Sequence, residues 1–305
     1  MYISNNLAFV LIDAGFDVWL MNTRGNSYSN RHVNMSDSDS EFWKFSYDEM
    51  IKYDTPAIIN HVLRWTKRDS VGWIGHSQGA MIMFGFLAEF PEQSSKIKPF
   101  IAMAPVARLK DTPASLKFIS KIPLLPQFLL WFPGEYRPSK VWLVLVLFAC
   151  SYESTYWCRH LVYFFLGQRY EQLDFSRLGI YVVRFPDRTS RQNLVHYGQN
   201  LRDERFAKFD WGPSKNMQLY NSTKSPEYPL ERIENDYIAL MYSSDDPLAT
   251  EPDIENLKMQ LRVRLMDDDS ITHIPWGHRD FLWSKKSRFF VVPKILHLLW
   301  KVNNR

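Results

Sequence analysis

The stretch that most constrains this chain is Val71-Gly72-Trp73-Ile74-Gly75-His76-Ser77-Gln78-Gly79-Ala80. An apolar run of strand character, Ser70 to Ile74, leads into Gly75-His76-Ser77-Gln78-Gly79. A second apolar run, Ala80 to Ala88, is long enough for a helix. G-x-S-x-G between a strand and a helix is the context of a nucleophile elbow, a sharp turn that holds its serine in strained backbone. Gly75 and Gly79 are expected to give the serine and the close-packed helix the room they need. The helix N-terminus then directs free backbone N–H groups at whatever the Ser77 hydroxyl attacks. The strand before and the buried helix after separate this stretch from a chance match of the pattern.

A serine hydroxyl needs a general base, and the base needs an acid to orient it; on an elbow of this kind they follow in the order serine, acid, histidine. Two aspartates, Asp245 and Asp246, follow the apolar run Tyr237 to Tyr242, and spacing alone does not choose between them. Of the downstream histidines, His278 lies in a loop, Trp276-Gly277-His278-Arg279-Asp280, where exposure and flexibility suit a base. His297 falls among leucines on a terminal helix and reads as a packed structural residue, and His273 is the weaker loop candidate. His76 flanks the nucleophile and reads as packing or orienting. The chain has no H-x-x-x-H and no cysteine pair at two-residue spacing, so neither a metal nor another cofactor is expected.

Along the chain, helix, strand, helix, strand, helix and strand run to Pro105, with strands read at Phe16–Met21, Ser70–Ile74 and Pro99–Ala104. The helical pattern from Glu41 to Arg64 contains Pro56, which predicts a break or kink rather than one continuous helix. After Pro105 the rhythm gives way to apolar, aromatic and proline-punctuated segments. It resumes with strands at Tyr237–Tyr242 and Leu261–Met266, a helix at Asp253–Gln260, and a terminal helix at Ser287–Val302 kinked at Pro293. This order predicts an α/β fold, a mostly parallel sheet with helices on both faces. Residues 1–106 and 228–305 are expected to form the core, and an insertion of helices carried on the sheet to occupy 107–227. The net charge of +4, with no basic track, argues against nucleic acid. No signal peptide is visible, and the densest apolar run, Val141 to Ala149, falls short of the roughly 20 residues that span a bilayer. Two sequons begin at Asn34 and Asn221.

With these residues in hand, the chain resembles the acid lipase family of lysosomal acid and gastric lipases. The marks run along the whole chain: Asn22-Thr23-Arg24-Gly25-Asn26, Phe42-Trp43-Lys44-Phe45-Ser46-Tyr47-Asp48-Glu49-Met50, Gly75-His76-Ser77-Gln78-Gly79, Gln192-Asn193-Leu194-Val195-His196, Phe209-Asp210-Trp211-Gly212 and His278-Arg279-Asp280-Phe281. The resemblance implies an α/β-hydrolase fold, with nucleophile Ser77, acid Asp246 and base His278. It also implies an oxyanion donor at the Gln78 N–H, a cap at 107–227, and a cap disulfide between Cys150 and Cys158, here spaced one residue closer. The implied activity is hydrolysis of neutral lipid esters, triacylglycerols or sterol esters, by a monomer at a lipid–water interface. The implied location is lysosomal or extracellular, with the sequons glycosylated.

One departure stands out. The family carries a His-Gly turn on an earlier strand, and the residue after that glycine supplies a second oxyanion N–H. This chain has no His-Gly pair. The expectation is therefore an N-terminally truncated sequence, and the alternative reading is an impaired, lipid-binding or inert lipase-like protein. Losing one oxyanion donor costs about 2.7–4 kcal/mol of transition-state stabilisation.

Overall fold

Strands whose residues are buried at every position must have both faces covered, because successive side chains point to opposite sides. The run Phe100 to Met103 and the whole of Ile238–Ser243 satisfy this, with every residue buried. A computed structural model of the chain describes residues 6–112, 134–137 and 185–303, with scattered positions between 129 and 181. In chain order its main elements are α1 (Leu7–Asp13), α2 (Thr55–Thr66), β1 (Val71–His76), α3 (Gln78–Glu89) and β2 (Ile97–Met103). After these come α4 (Arg191–Asp203), α5 (Pro213–Tyr220), β3 (Ile238–Ser243), α6 (Glu251–Gln260) and β4 (Asp267–Ile271). Three helices close the chain, α7 (Asp280–Trp283), α8 (Ser287–Phe290) and α9 (Val292–Asn303). The four strands form one parallel sheet in the order β1-β2-β3-β4.

The register lines up the ends of the strands. His76 pairs with Met103, Met103 with Met241, and Ser243 with Ile271. The loops that follow β1, β3 and β4 therefore open at one edge of the sheet. Helix α3 packs against β1 with Ala80 through Ala88 all buried, and Phe84 meets Phe100 edge-on at 4.8 Å.

Three expected elements differ. Phe16–Met21 is not a strand: no strand among the described residues pairs with it, and Trp19 and Leu20 are exposed. A strand-like composition makes no strand without a ladder partner. Leu261–Met266 is also irregular, and the strand begins one residue later, at Asp267. Sequence patterning hid it because three consecutive aspartates disfavour a strand. Alternation resolves the conflict: Asp267 and Asp269 point to one side, toward Lys294 of α9, and Asp268 to the other, where Lys258 of α6 lies at 2.6 Å. Pro56, finally, does not break its helix. Helical structure runs from Tyr47 to Thr66, and a π-helical stretch at Met50–Asp54 lies just before Pro56, a widened turn of the kind that accommodates a proline within a helical run. The terminal helix does divide, at Val291, just before Pro293.

Of the expected cap, α4 and α5 are described, while Cys150 and Cys158 lie outside the described residues. Helix α4 meets the core through a buried polar cluster. The His196 ring stacks on Tyr47 at 3.8 Å, and its Nε2 faces the Ala207 carbonyl at 2.9 Å. Asp48 accepts hydrogen bonds from the Phe209 N–H at 2.8 Å and from the Tyr228 hydroxyl. Burial raises the Asp48 carboxyl to about 6, against those two hydrogen bonds and the pull of Lys208. The folded protein thus binds this proton more tightly than the unfolded chain does. The contribution to stability is largest on the acidic side of the window from 3.8 to about 6 and is lost as pH rises through it. Asp48→Asn should therefore flatten the rise in Tm on acidification across that window. An unchanged Tm slope in the variant would contradict this placement of the proton.

Candidate active site

Ser77 sits between β1 and α3 with φ 53° and ψ −114°, a left-handed conformation rare for a residue with a side chain. Its N–H donates to the Met103 carbonyl at 3.0 Å, which ties the turn to β2. A side chain on Gly75 would lie 2.6 Å from the Ala80 nitrogen and the Gly79 carbonyl, backbone that cannot rotate aside. Gly75 is thus the residue that lets α3 approach β1. Gly79 is not: a Cβ there meets nothing within 4 Å, so the need read from the sequence holds for only one of the two glycines.

The turn after β3 and the loop after β4 bring the other residues to Ser77. His278 Nε2 is 2.8 Å from Ser77 Oγ, and its Nδ1 is 2.8 and 3.1 Å from the two carboxylate oxygens of Asp246. A carboxylate accepts, so Nδ1 carries the proton and Nε2 is left to accept from the serine hydroxyl. Asp246 Oδ1 also accepts from the Leu248 and Ala249 N–H groups, at 2.8 and 3.0 Å. Burial alone would raise the Asp246 carboxyl, but the charge and hydrogen bond of His278, with the two backbone donors, hold it below the ordinary aspartate range. Asp245 is only half-buried and its own N–H bonds to Ser243 Oγ; the carboxylate that meets His278 is that of Asp246.

His278 is 2 % exposed, so the exposure expected of a loop base is absent. The loop is instead held from several sides. Asp280 accepts from the Gly277 N–H at 2.5 Å, and His76 Nε2 donates to the His278 carbonyl at 2.7 Å. Burial, with the charges of His278 and Arg279, lowers the His76 pKa to about 3, so His76 stays neutral and fixes the backbone of its neighbour. His273 is exposed and packs against Phe290 at 5.0 Å, and His297, expected to be packed, is exposed on α9.

Two further contacts escaped the sequence. The Arg279 guanidinium lies 3.5 Å over the Phe185 ring, and burial lowers its pKa to about 9. The Gln78 side chain is gripped at both ends: its Oε1 accepts from the Tyr197 hydroxyl at 2.9 Å, and its Nε2 approaches Met50 Sδ at 3.3 Å. Neither pair is close in sequence, and no pattern links them. Among the described residues no group of three or more His, Cys, Asp or Glu side chains could hold a metal ion, and no helix is long and apolar enough to cross a membrane.

A parallel sheet that delivers a strained serine, a histidine and an aspartate to one edge defines an α/β hydrolase, and the alpha/beta hydrolase fold family matches residues 3–282. Within that fold the chain belongs to the acid lipase family. It is 36% identical over 301 residues to the lysosomal acid lipase/cholesteryl ester hydrolase of Macaca fascicularis, covering 98% of this chain and 74% of that protein. It is 37% identical over 284 residues to the gastric triacylglycerol lipase of Rattus norvegicus, covering 92% and 71%. A soluble variant of the monoglyceride lipase of Saccharomyces cerevisiae, solved with a substrate analogue, shares the fold at 14% identity. Its TM-score is 0.58, with 99% of this chain and 82% of that one covered.

The two glycines of the elbow should respond differently to substitution. Gly75→Ala is expected to abolish covalent labelling of the protein by a fluorophosphonate and to lower Tm. Gly79→Ala, in open space within a helix, should keep both near the parent values. Equal labelling of the two variants would contradict the close approach of α3 to β1 as the constraint on the turn.

Proposed function

We propose that this protein is a serine ester hydrolase, a lipase that cleaves neutral lipid esters by acyl transfer. The observation that carries the reading is the unbroken hydrogen-bond chain from Ser77 Oγ through His278 to the buried Asp246. In the first half-reaction His278 Nε2 takes the Ser77 proton as Oγ attacks the ester carbonyl, and the oxyanion is stabilised by the backbone N–H of Gln78. His278 then gives that proton to the leaving alcohol. Water, activated by the same imidazole, releases the carboxylic acid and restores Ser77. Asp246 stays ionised throughout, holding the Nδ1–H tautomer and stabilising the imidazolium.

The substrate class follows from family membership together with the names of the relatives, which act on triacylglycerols and cholesteryl esters. The segment 107–227 is assigned as a cap over this site, with its aromatic composition suited to acyl chains and the enzyme acting as a monomer. A lysosomal or extracellular location is supported by the same relatives and by the sequon asparagines Asn34 and Asn221, both exposed. The Cys150–Cys158 pairing is proposed on the family resemblance alone.

Hydrolysis of a short-chain aryl ester and of a triacylglycerol emulsion tests the assignment. Ser77→Ala should abolish both while leaving Tm close to the parent. Asp246→Asn, which frees the imidazole to adopt the wrong tautomer, should lower kcat by about 10⁴-fold. Undiminished turnover in the serine variant would sink the nucleophile, and full activity of the asparagine variant would remove the role given to Asp246.

A further inference from the structure

We propose that Tyr197 is a positioning residue for the oxyanion donor, acting from α4 through the side chain of Gln78. The inference rests on the ester-hydrolase reading and adds a residue that the hydrogen-bond chain of the triad does not contain.

Gln78 is the first residue of α3, so its backbone N–H has no intrahelical acceptor. No acceptor among the described residues takes it. The group is therefore free to serve an oxyanion, and its direction depends on how the first turn of α3 is held. On the serine side the backbone is strained, with Ser77 at φ 53°, and a turn under strain keeps its geometry only when its surroundings fix it.

The surroundings fix Gln78 through its amide. The Tyr197 hydroxyl donates to Oε1 at 2.9 Å, and Nε2 approaches Met50 Sδ at 3.3 Å. Each anchor is itself secured. Met50 begins the π-helical stretch, and its carbonyl accepts from the Thr55 hydroxyl at 2.9 Å. The Tyr197 ring packs on Tyr47 at 5.4 Å, and its helix is capped by Ser190, which accepts from the Asn193 N–H. Burial pushes the Tyr197 phenol well above its ordinary range, so it remains a donor at any working pH. The amide thus spans two helical elements and is kept from swinging into the space beside Ser77 Oγ. It also holds the first turn of α3, which carries the N–H assigned to the oxyanion. Misplacing such a donor, rather than deleting it, costs part of the stabilisation that the donor supplies.

Tyr197→Phe removes the hydroxyl and keeps the ring. With the full chain and a p-nitrophenyl ester, and with sites counted by fluorophosphonate titration, kcat per site should fall about tenfold while KM stays within about twofold. Gln78→Met keeps the backbone N–H and removes the amide, so it should show the same loss. The double variant should be no worse than either single one, because both substitutions break one path. A lower Tm with kcat per site unchanged in Tyr197→Phe would overturn the positioning role and leave Tyr197 as packing between α4 and α3. Additive losses in the double variant would overturn the route through Gln78. Should Tyr197→Phe fail to fold, Gln78→Met breaks the same bond from the other side, and an unchanged kcat there would equally overturn the proposal. A parent protein that neither labels nor hydrolyses the ester would overturn the ester-hydrolase reading, and the positioning role with it.

Discussion

The site depends on one backbone constraint, the left-handed conformation of Ser77 at the end of β1. That conformation reverses the chain within a single residue and starts α3 against the strand it has just left. It is tolerated because Gly75 presents no side chain to the incoming helix and because the Ser77 N–H is tied to Met103 of β2. Strand β2 in turn lies between β1 and β3 with its core residues fully buried, so the turn is anchored in the best-packed part of the molecule. The cost of the strain, of order 1–3 kcal/mol, is offset by burial of the whole inner face of α3.

Parallel register then converts that local constraint into a site. The strands end together at one edge, so the turn after β3 and the loop after β4 reach Ser77 without long excursions. The electrostatics agree with this placement. Asp246 is buried yet held ionised by the imidazole and two backbone N–H groups, whereas His76, partly buried and beside the cationic Arg279, is kept neutral. Two histidines at 4.9 Å thus take different roles, one fixing the loop and the other facing the serine.

Much of this could be read from residues alone, and the exceptions share a cause. The elbow, β2, β3 and α6 were legible because each carries its own local pattern of apolar period or turn chemistry. The strand at Asp267–Ile271 was not, since its aspartates are acceptable only beside Lys258 and Lys294, which belong to other helices. Phe16–Met21 has the composition of a strand but no ladder partner among the described residues. The choice between Asp245 and Asp246 was open to spacing and closed only by resemblance, and it is Asp246 whose carboxylate faces His278. His278 itself looked like an exposed loop residue because burial by neighbouring loops leaves no mark in local sequence. The grip of Tyr197 on Gln78 joins residues 119 positions apart and could be found only in three dimensions.

The measurement that bears most directly on the account is reaction of the intact chain with a fluorophosphonate, followed by peptide mapping of the adduct. A single modified residue, Ser77, is expected, with labelling lost in His278→Ala at the same protein concentration and pH. A folded protein that remains unlabelled, or an adduct on any other serine, would contradict the claim that this edge of the sheet holds an activated nucleophile.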